Sequence, residues 1–94
     1  MVTELFIIVA YDIASDKRRQ KVAKILENYG ERVNYSVFEC MLHRTKAETM
    51  KQELYKTIKE GKDTILLYYL CKHCVNQRSF LKGKTENSDV VKML

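Results

Sequence analysis

Leu5-Phe6-Ile7-Ile8-Val9-Ala10-Tyr11-Asp12 is a run of apolar side chains that ends in a carboxylate, with the basic cluster Lys17-Arg18-Arg19-Gln20-Lys21 close behind it. An apolar run of this length reads as a strand covered on both faces. An ionised aspartate against such a strand needs pairing, capping or a metal, because burying a bare charge is costly. Cations beside a single acid point to a phosphate ligand held near a divalent ion.

Thr64-Ile65-Leu66-Leu67-Tyr68-Tyr69-Leu70-Cys71 has the same apolar character, so both runs read as central strands. Two helical segments accompany them. The first spans about Asp16 to Tyr29, with Val22, Ile25, Leu26 and Tyr29 on one face, Asp16 as cap and Gly30 as stop. The second spans about Lys46 to Lys59, with Thr45 and Glu48 spaced as a capping box, Ala47, Met50, Leu54 and Ile58 as its stripe, and Gly61 at its end. Between them, residues 32–42 alternate apolar and polar, but the phase slips at Val37-Phe38. Either a bulge or a split into two short strands accounts for the slip. Arg78-Ser79-Phe80-Leu81 and Val90-Val91-Lys92-Met93-Leu94 are candidate short strands, with a mobile polar loop from Lys82 to Asp89.

The order strand, helix, strand or strand pair, helix, strand fits an α+β sandwich of the ferredoxin-like kind, a mainly antiparallel sheet with two helices on one face. Two helices cover one face only. A second copy packed sheet to sheet buries the other, which predicts a homodimer.

The chain has 94 residues, enough for one domain that buries roughly 60 to 65% of its unfolded surface. With 46% hydrophobic residues the chain is expected to fold, and 3 Gly with no Pro leave little room for flexible linkers, low-complexity tracts or a second domain. Seventeen Lys and Arg against 12 Asp and Glu give a net charge of +5, which favours a polyanion such as nucleic acid as partner. Three cysteines, no signal peptide and no membrane-spanning run predict a cytoplasmic protein without membrane contact.

The cations Lys17, Arg18 and Arg19 fall in the first turn of the first helix, where its dipole disfavours them. An anion docked at that helix start, or a solvated basic face, explains the placement. Cys71-Lys72-His73-Cys74 is half of a tetrahedral zinc site, the remaining ligands having to come from Cys40, His43, His73 or a second chain. No thioredoxin-like strand and helix frames it in the sequence, and small core cysteines are the ordinary alternative.

Tyr11-Asp12-Ile13, then Asp16-Lys17-Arg18-Arg19 with Val22-Ala23, and Tyr29-Gly30 before Arg32-Val33-Asn34-Tyr35-Ser36-Val37-Phe38-Glu39-Cys40, resemble the CRISPR-associated endonuclease family Cas-two. The resemblance covers about the first half of the chain, and Asn34 stands where a glutamine is usual. It implies a ferredoxin-like protomer, a two-fold dimer formed through the sheets, and Asp12 as the catalytic aspartate that binds Mg²⁺. It also implies a metal-dependent nuclease on single-stranded RNA or double-stranded DNA, partnered with the CRISPR integrase in spacer acquisition. A non-catalytic DNA-binding scaffold of that complex and a related toxin-like ribonuclease are the alternative roles. The last strand, Val90 to Leu94, is expected to add to the partner's sheet.

One aspartate per chain is sparse for metal-assisted phosphodiester cleavage, and a two-fold axis near Asp12 would supply a second carboxylate. Arg18, Arg19, Lys21 and Arg32 are the candidate nucleic-acid contacts, Arg19 and Arg32 at family positions. Tyr11, Ser36 and Phe38 are possible supporting residues, although Tyr35 and Phe38 read better as core. Glu39 is a reserve carboxylate, and neither His43 nor His73 can be placed near Asp12.

Overall fold

The computed structural model describes residues 4–79 and 81. Its elements run β1 (Glu4–Asp12), α1 (Asp16–Glu27), β2 (Gly30–Asn34), β3 (Val37–His43), α2 (Arg44–Thr57), β4 (Thr64–Leu70) and α3 (Lys72–Asn76). The four strands form one sheet in the order β2-β3-β1-β4, with every neighbouring pair antiparallel. This is the expected ferredoxin-like α+β arrangement. β1 takes a central place, but β4 lies at an edge, contrary to the expectation that both apolar runs would be central.

Strand alternation sorts the sheet into two faces. Ile7, Val9 and Tyr11 of β1 and Phe38, Cys40 and Leu42 of β3 face α1 and α2, where Val22, Ala23, Leu26, Ala47, Met50 and Leu54 close the core. Phe38, Ile7, Leu26 and Met50 are essentially inaccessible, each contributing about 1.5–3 kcal/mol by burial. Neither α1 nor α2 covers the opposite face. Leu66 and Tyr68 of β4 are about half exposed there, and Met41 of β3 joins them across Phe6 of β1.

The phase slip resolves into a hairpin. Tyr35-Ser36 turns β2 into β3, and a register irregularity between Arg32 and Asn34 adds a bulge as well. α1 ends at Glu27 with Asn28 as C-cap, so Gly30 opens β2 and does not stop the helix. Its N-cap is Ser15, whose Oγ accepts from the Arg18 amide at 3.3 Å, and Asp16 is already helical. α2 starts at Arg44 directly out of β3. Thr45 therefore lies inside the helix, and the N-cap His43 makes no side-chain cap bond. α2 also stops before Gly61, which occupies a turn at φ 84°, a conformation that suits a residue without Cβ. The short α3 was not expected at all. Arg78, Ser79 and Leu81 are not in a strand, while Phe80, the loop from Lys82 and the strand from Val90 lie outside the described residues.

Candidate functional site

At the C-terminal end of β1 the chain leaves the sheet, and the β2–β3 turn comes up beside it. The Tyr11 amide donates to the Ser36 carbonyl at 3.0 Å and the Tyr11 hydroxyl to the Tyr35 carbonyl at 3.1 Å, tying the two segments together. Between this junction and α1 opens a cleft of about 420 Å³, lined by Tyr11, Asp12, Ile13, Arg19, Gln20, Ala23, Arg32, Tyr35 and Ser36. Asp12, Arg19, Arg32, Tyr11 and Ser36 are thus brought to one place from three separated stretches of sequence. Arg18, Lys21 and Phe38 do not line it.

Asp12 is exposed and, among the described residues, has no ion-pair or hydrogen-bond partner for its carboxylate. An exposed, unpaired carboxylate beside an open cleft fits Mg²⁺, which is held by one or two carboxylates, waters and substrate phosphates. No group of three His, Cys, Asp or Glu gathers among the described residues, so these residues offer no closed protein cage for an ion.

The cations fall into distinct states. Arg32 is exposed, with its guanidinium 5.3 Å from the centroid of Phe38 and no carboxylate partner among the described ion pairs. Arg19 pairs with the exposed Asp16 and donates to the Ile13 carbonyl at 3.1 Å. An exposed pair of this kind is weak and open to exchange for a phosphate. Arg18 is different, because its Nε and Nη2 donate to both oxygens of Asp63 at 2.7 and 3.1 Å. Lys21 is exposed on α1 outside the cleft.

Asp63 is the residue that sequence reasoning missed. Its side chain is fully buried, and besides Arg18 it accepts the Ala14 amide at 3.0 Å and the Lys59 amide at 2.8 Å. The Arg18 guanidinium first, then these amides, hold its carboxyl well below the usual carboxylate range, outweighing desolvation. Asp63 clamps three segments: the turn after Asp12, the start of α1 and the end of α2. It thereby fixes the loop on which Asp12 and Arg19 are presented. A lone acid before a strand reads as an ordinary turn residue, so only the spacing of the fold reveals it.

Phe38 is wholly buried, as expected, stacked on Tyr11 with ring centroids 6.3 Å apart. Burial raises the Tyr11 hydroxyl pKa, against the lowering influence of Arg32. Tyr35 was expected in the core and is instead 86% exposed, because it sits at the tip of the hairpin turn. Glu39 bonds Arg78 on the open sheet face, level with Ile8 and not with Asp12. His43 and His73 lie toward the other end of the sheet, remote from the cleft.

Residues 5–78 match the family model described as CRISPR associated protein Cas2. The chain is 43% identical over 70 residues to a CRISPR-associated endoribonuclease Cas2 of Synechocystis sp., covering 74% of this chain and 76% of the relative. It is 39% identical over 71 residues to a CRISPR-associated endonuclease Cas2 of Halalkalibacterium halodurans, covering 70% and 74%. The crystal structure of Streptococcus pyogenes Cas2 superposes with a TM-score of 0.74 at 33% identity, over 82% of this chain and 99% of that one. No helix among the described residues is long and apolar enough to cross a membrane. Fold, the matched span and the identity to these relatives agree that the chain belongs to the CRISPR-associated Cas2 family.

Proposed function

We propose that this protein is a Mg²⁺-dependent endonuclease that cleaves phosphodiester bonds of single-stranded RNA or double-stranded DNA as a homodimer, working with the CRISPR integrase during spacer acquisition. The observation that carries the reading is the exposed, unpartnered carboxylate of Asp12 at the end of β1, next to the cleft that Arg19 and Arg32 line. Relatives named as endoribonuclease and endonuclease support hydrolysis of a nucleic acid. The apolar side chains on the sheet face away from α1 and α2, with Leu66, Tyr68 and Met41 about half exposed, support the dimer, because exposed apolar surface is costly in water.

Asp12 holds the metal. Bound Mg²⁺ supplies Lewis-acid polarisation of a phosphoryl oxygen and a more acidic water. Arg32 and Arg19 donate to phosphate oxygens and draw the backbone along the cleft. Ser36 offers a hydroxyl toward the same phosphate, and Tyr35 presents a ring on which an unpaired base can stack. By alternation Asp12 shares the open face with Ile8 and Ala10, so sheet-to-sheet pairing carries a second Asp12 toward the first.

A second reading has its own observation. Because no cluster of three ligating side chains forms among the described residues, the cleft also suits a protein that grips duplex DNA by its phosphates without cutting it.

The test is cleavage and binding measured together, with wild type and Asp12→Ala on single-stranded RNA and duplex DNA, with Mg²⁺ or chelator. Mg²⁺-dependent cutting that vanishes in the variant while binding and dimerisation persist is the expected result. Binding without cutting by either protein refutes the nuclease and leaves the DNA-gripping role.

A further inference from the structure

The segment leaving β4 carries chemistry that the cleft does not use. Cys71 follows the strand and Cys74 lies one helical turn on, with their Sγ atoms 3.5 Å apart and both residues exposed. The edge strand β4 precedes Cys71 and the five-residue α3 follows it. Cys40 is the contrast. It faces the core at 1% exposure, and burial pushes its thiol up to about 11, so it stays protonated and shielded.

Among the described residues no third His, Cys, Asp or Glu joins the pair, so these residues do not form a zinc site. Two exposed thiols in contact are instead suited to exchange with a disulfide, in which the thiolate is the attacking species. The two sulfurs are unequal. The Cys74 amide, the Cys74 thiol and the His73 amide favour a thiolate on Cys71 and lower its pKa, whereas the neighbouring Cys71 sulfur raises that of Cys74.

We propose that Cys71 and Cys74 form a reversible dithiol–disulfide site, with Cys71 as attacking thiol and Cys74 as resolving thiol, whose oxidant is a low-molecular-weight disulfide such as oxidised glutathione. In the first step the Cys71 thiolate attacks one sulfur of that disulfide. A new bond joins it to Cys71 Sγ, the old S–S bond breaks, and the departing thiolate takes up a proton. In the second step Cys74 loses its proton and attacks Cys71 Sγ, which closes the internal disulfide and expels the second small thiolate. The protein gives up two electrons and two protons, and one small disulfide becomes two thiols. Closure brings the sulfurs from 3.5 Å to about 2.05 Å, a shift within reach of two exposed side chains.

The site is independent of the cleft. Asp12 pairs with Thr64 at the start of β4, and Cys71 lies seven residues further, about 23 Å along an extended strand. It adjoins the open face instead. Arg78 Nε donates to the Val75 carbonyl of α3 at 2.9 Å while its guanidinium lies 4.5 Å from the Phe6 ring centroid and bonds Glu39. Closing the disulfide therefore stiffens the turn from which Arg78 reaches that face.

The test holds the full chain in buffers of set reduced-to-oxidised glutathione ratio near neutral pH, followed by acid quench, alkylation, intact mass and peptide mapping. Wild type is expected to lose two hydrogens as a Cys71–Cys74 disulfide, with Cys40 alkylated only after unfolding. Cys74→Ser is expected to trap one glutathione on Cys71, and Cys71→Ser to be modified at Cys74 at least about tenfold more slowly. Both substitutions are exposed, and circular dichroism verifies their folding. Equal rates in the two folded variants, or a wild type that collects mixed disulfides without closing, would overturn the proposal.

Discussion

Arg32→Ala and Arg18→Ala remove the same charge from the same end of the molecule, yet the structure separates their effects on nucleic-acid binding. Affinity for duplex DNA falls with salt because each neutralised phosphate releases condensed counterions, with a log-log slope of about −0.9 per contact, or about −0.7 on single strands. Arg32 lines the cleft with no carboxylate to compete, so it can neutralise a phosphate outright. Arg18 is already neutralised by both oxygens of a buried Asp63. Arg32→Ala is therefore expected to flatten the slope by about 0.9 per protomer, or about 1.8 where both protomers of a dimer grip one duplex. At 0.1 M salt, each lost contact costs about eightfold in affinity relative to a 1 M reference. Arg18→Ala is expected to leave the slope unchanged and to show itself in stability. Fluorescence anisotropy with a labelled duplex, titrated across a salt series, measures both. An Arg18→Ala slope reduced as much as that of Arg32→Ala would refute the assignment of Arg18 to the clamp.

The clamp itself has a pH signature. The Asp63 carboxyl is depressed in the folded state, so its stabilisation is fully present above the unfolded value of about 3.9 and is lost as pH falls toward the lower folded value. Asp63→Asn is thus expected to lower the urea midpoint at neutral pH, by a margin that narrows on acidification; a margin unchanged down to pH 3 would contradict it. Gly30 is required for space: a Cβ there would overlap the Glu39 carbonyl and stand 2.6 Å from Cys40 Sγ. Gly30→Ala is expected to cost about 1–3 kcal/mol by overpacking the β2–β3 pairing, and a variant as stable as wild type in urea denaturation would show that the hairpin yields freely.

Periodicity is a local property, and what it encodes was legible. The apolar run before Asp12 and the helical stripe through Val22 and Leu26 identify a strand and a helix without reference to the rest of the chain, and the phase slip at Val37-Phe38 marks a break that a bulge or a hairpin explains equally well until the pairing is known. Elements too short for a period were not legible. α3 spans little more than one turn, so the setting of Cys71 and Cys74 is invisible in a row of letters. Helix boundaries moved for the same reason, since Ser15 and Asp16 are equally good caps until the backbone chooses. Tyr35 reads as core because an aromatic in an alternating stretch ordinarily is, and the turn that exposes it is set by the pairing of β2 with β3.

Residue types and their order single out the groups chemically able to serve the cleft: one acid at the end of an apolar strand, with a cluster of lysines and arginines behind it. Which of the arginines is available depends on contacts made between distant parts of the chain. Arg18 and Arg19 are neighbours in the chain, but Asp63, 45 residues away from Arg18, engages one with two hydrogen bonds and leaves the other beside the cleft. A charge is a property of a residue. Whether it is offered to a ligand depends on the partner that folding brings within about 3 Å of it.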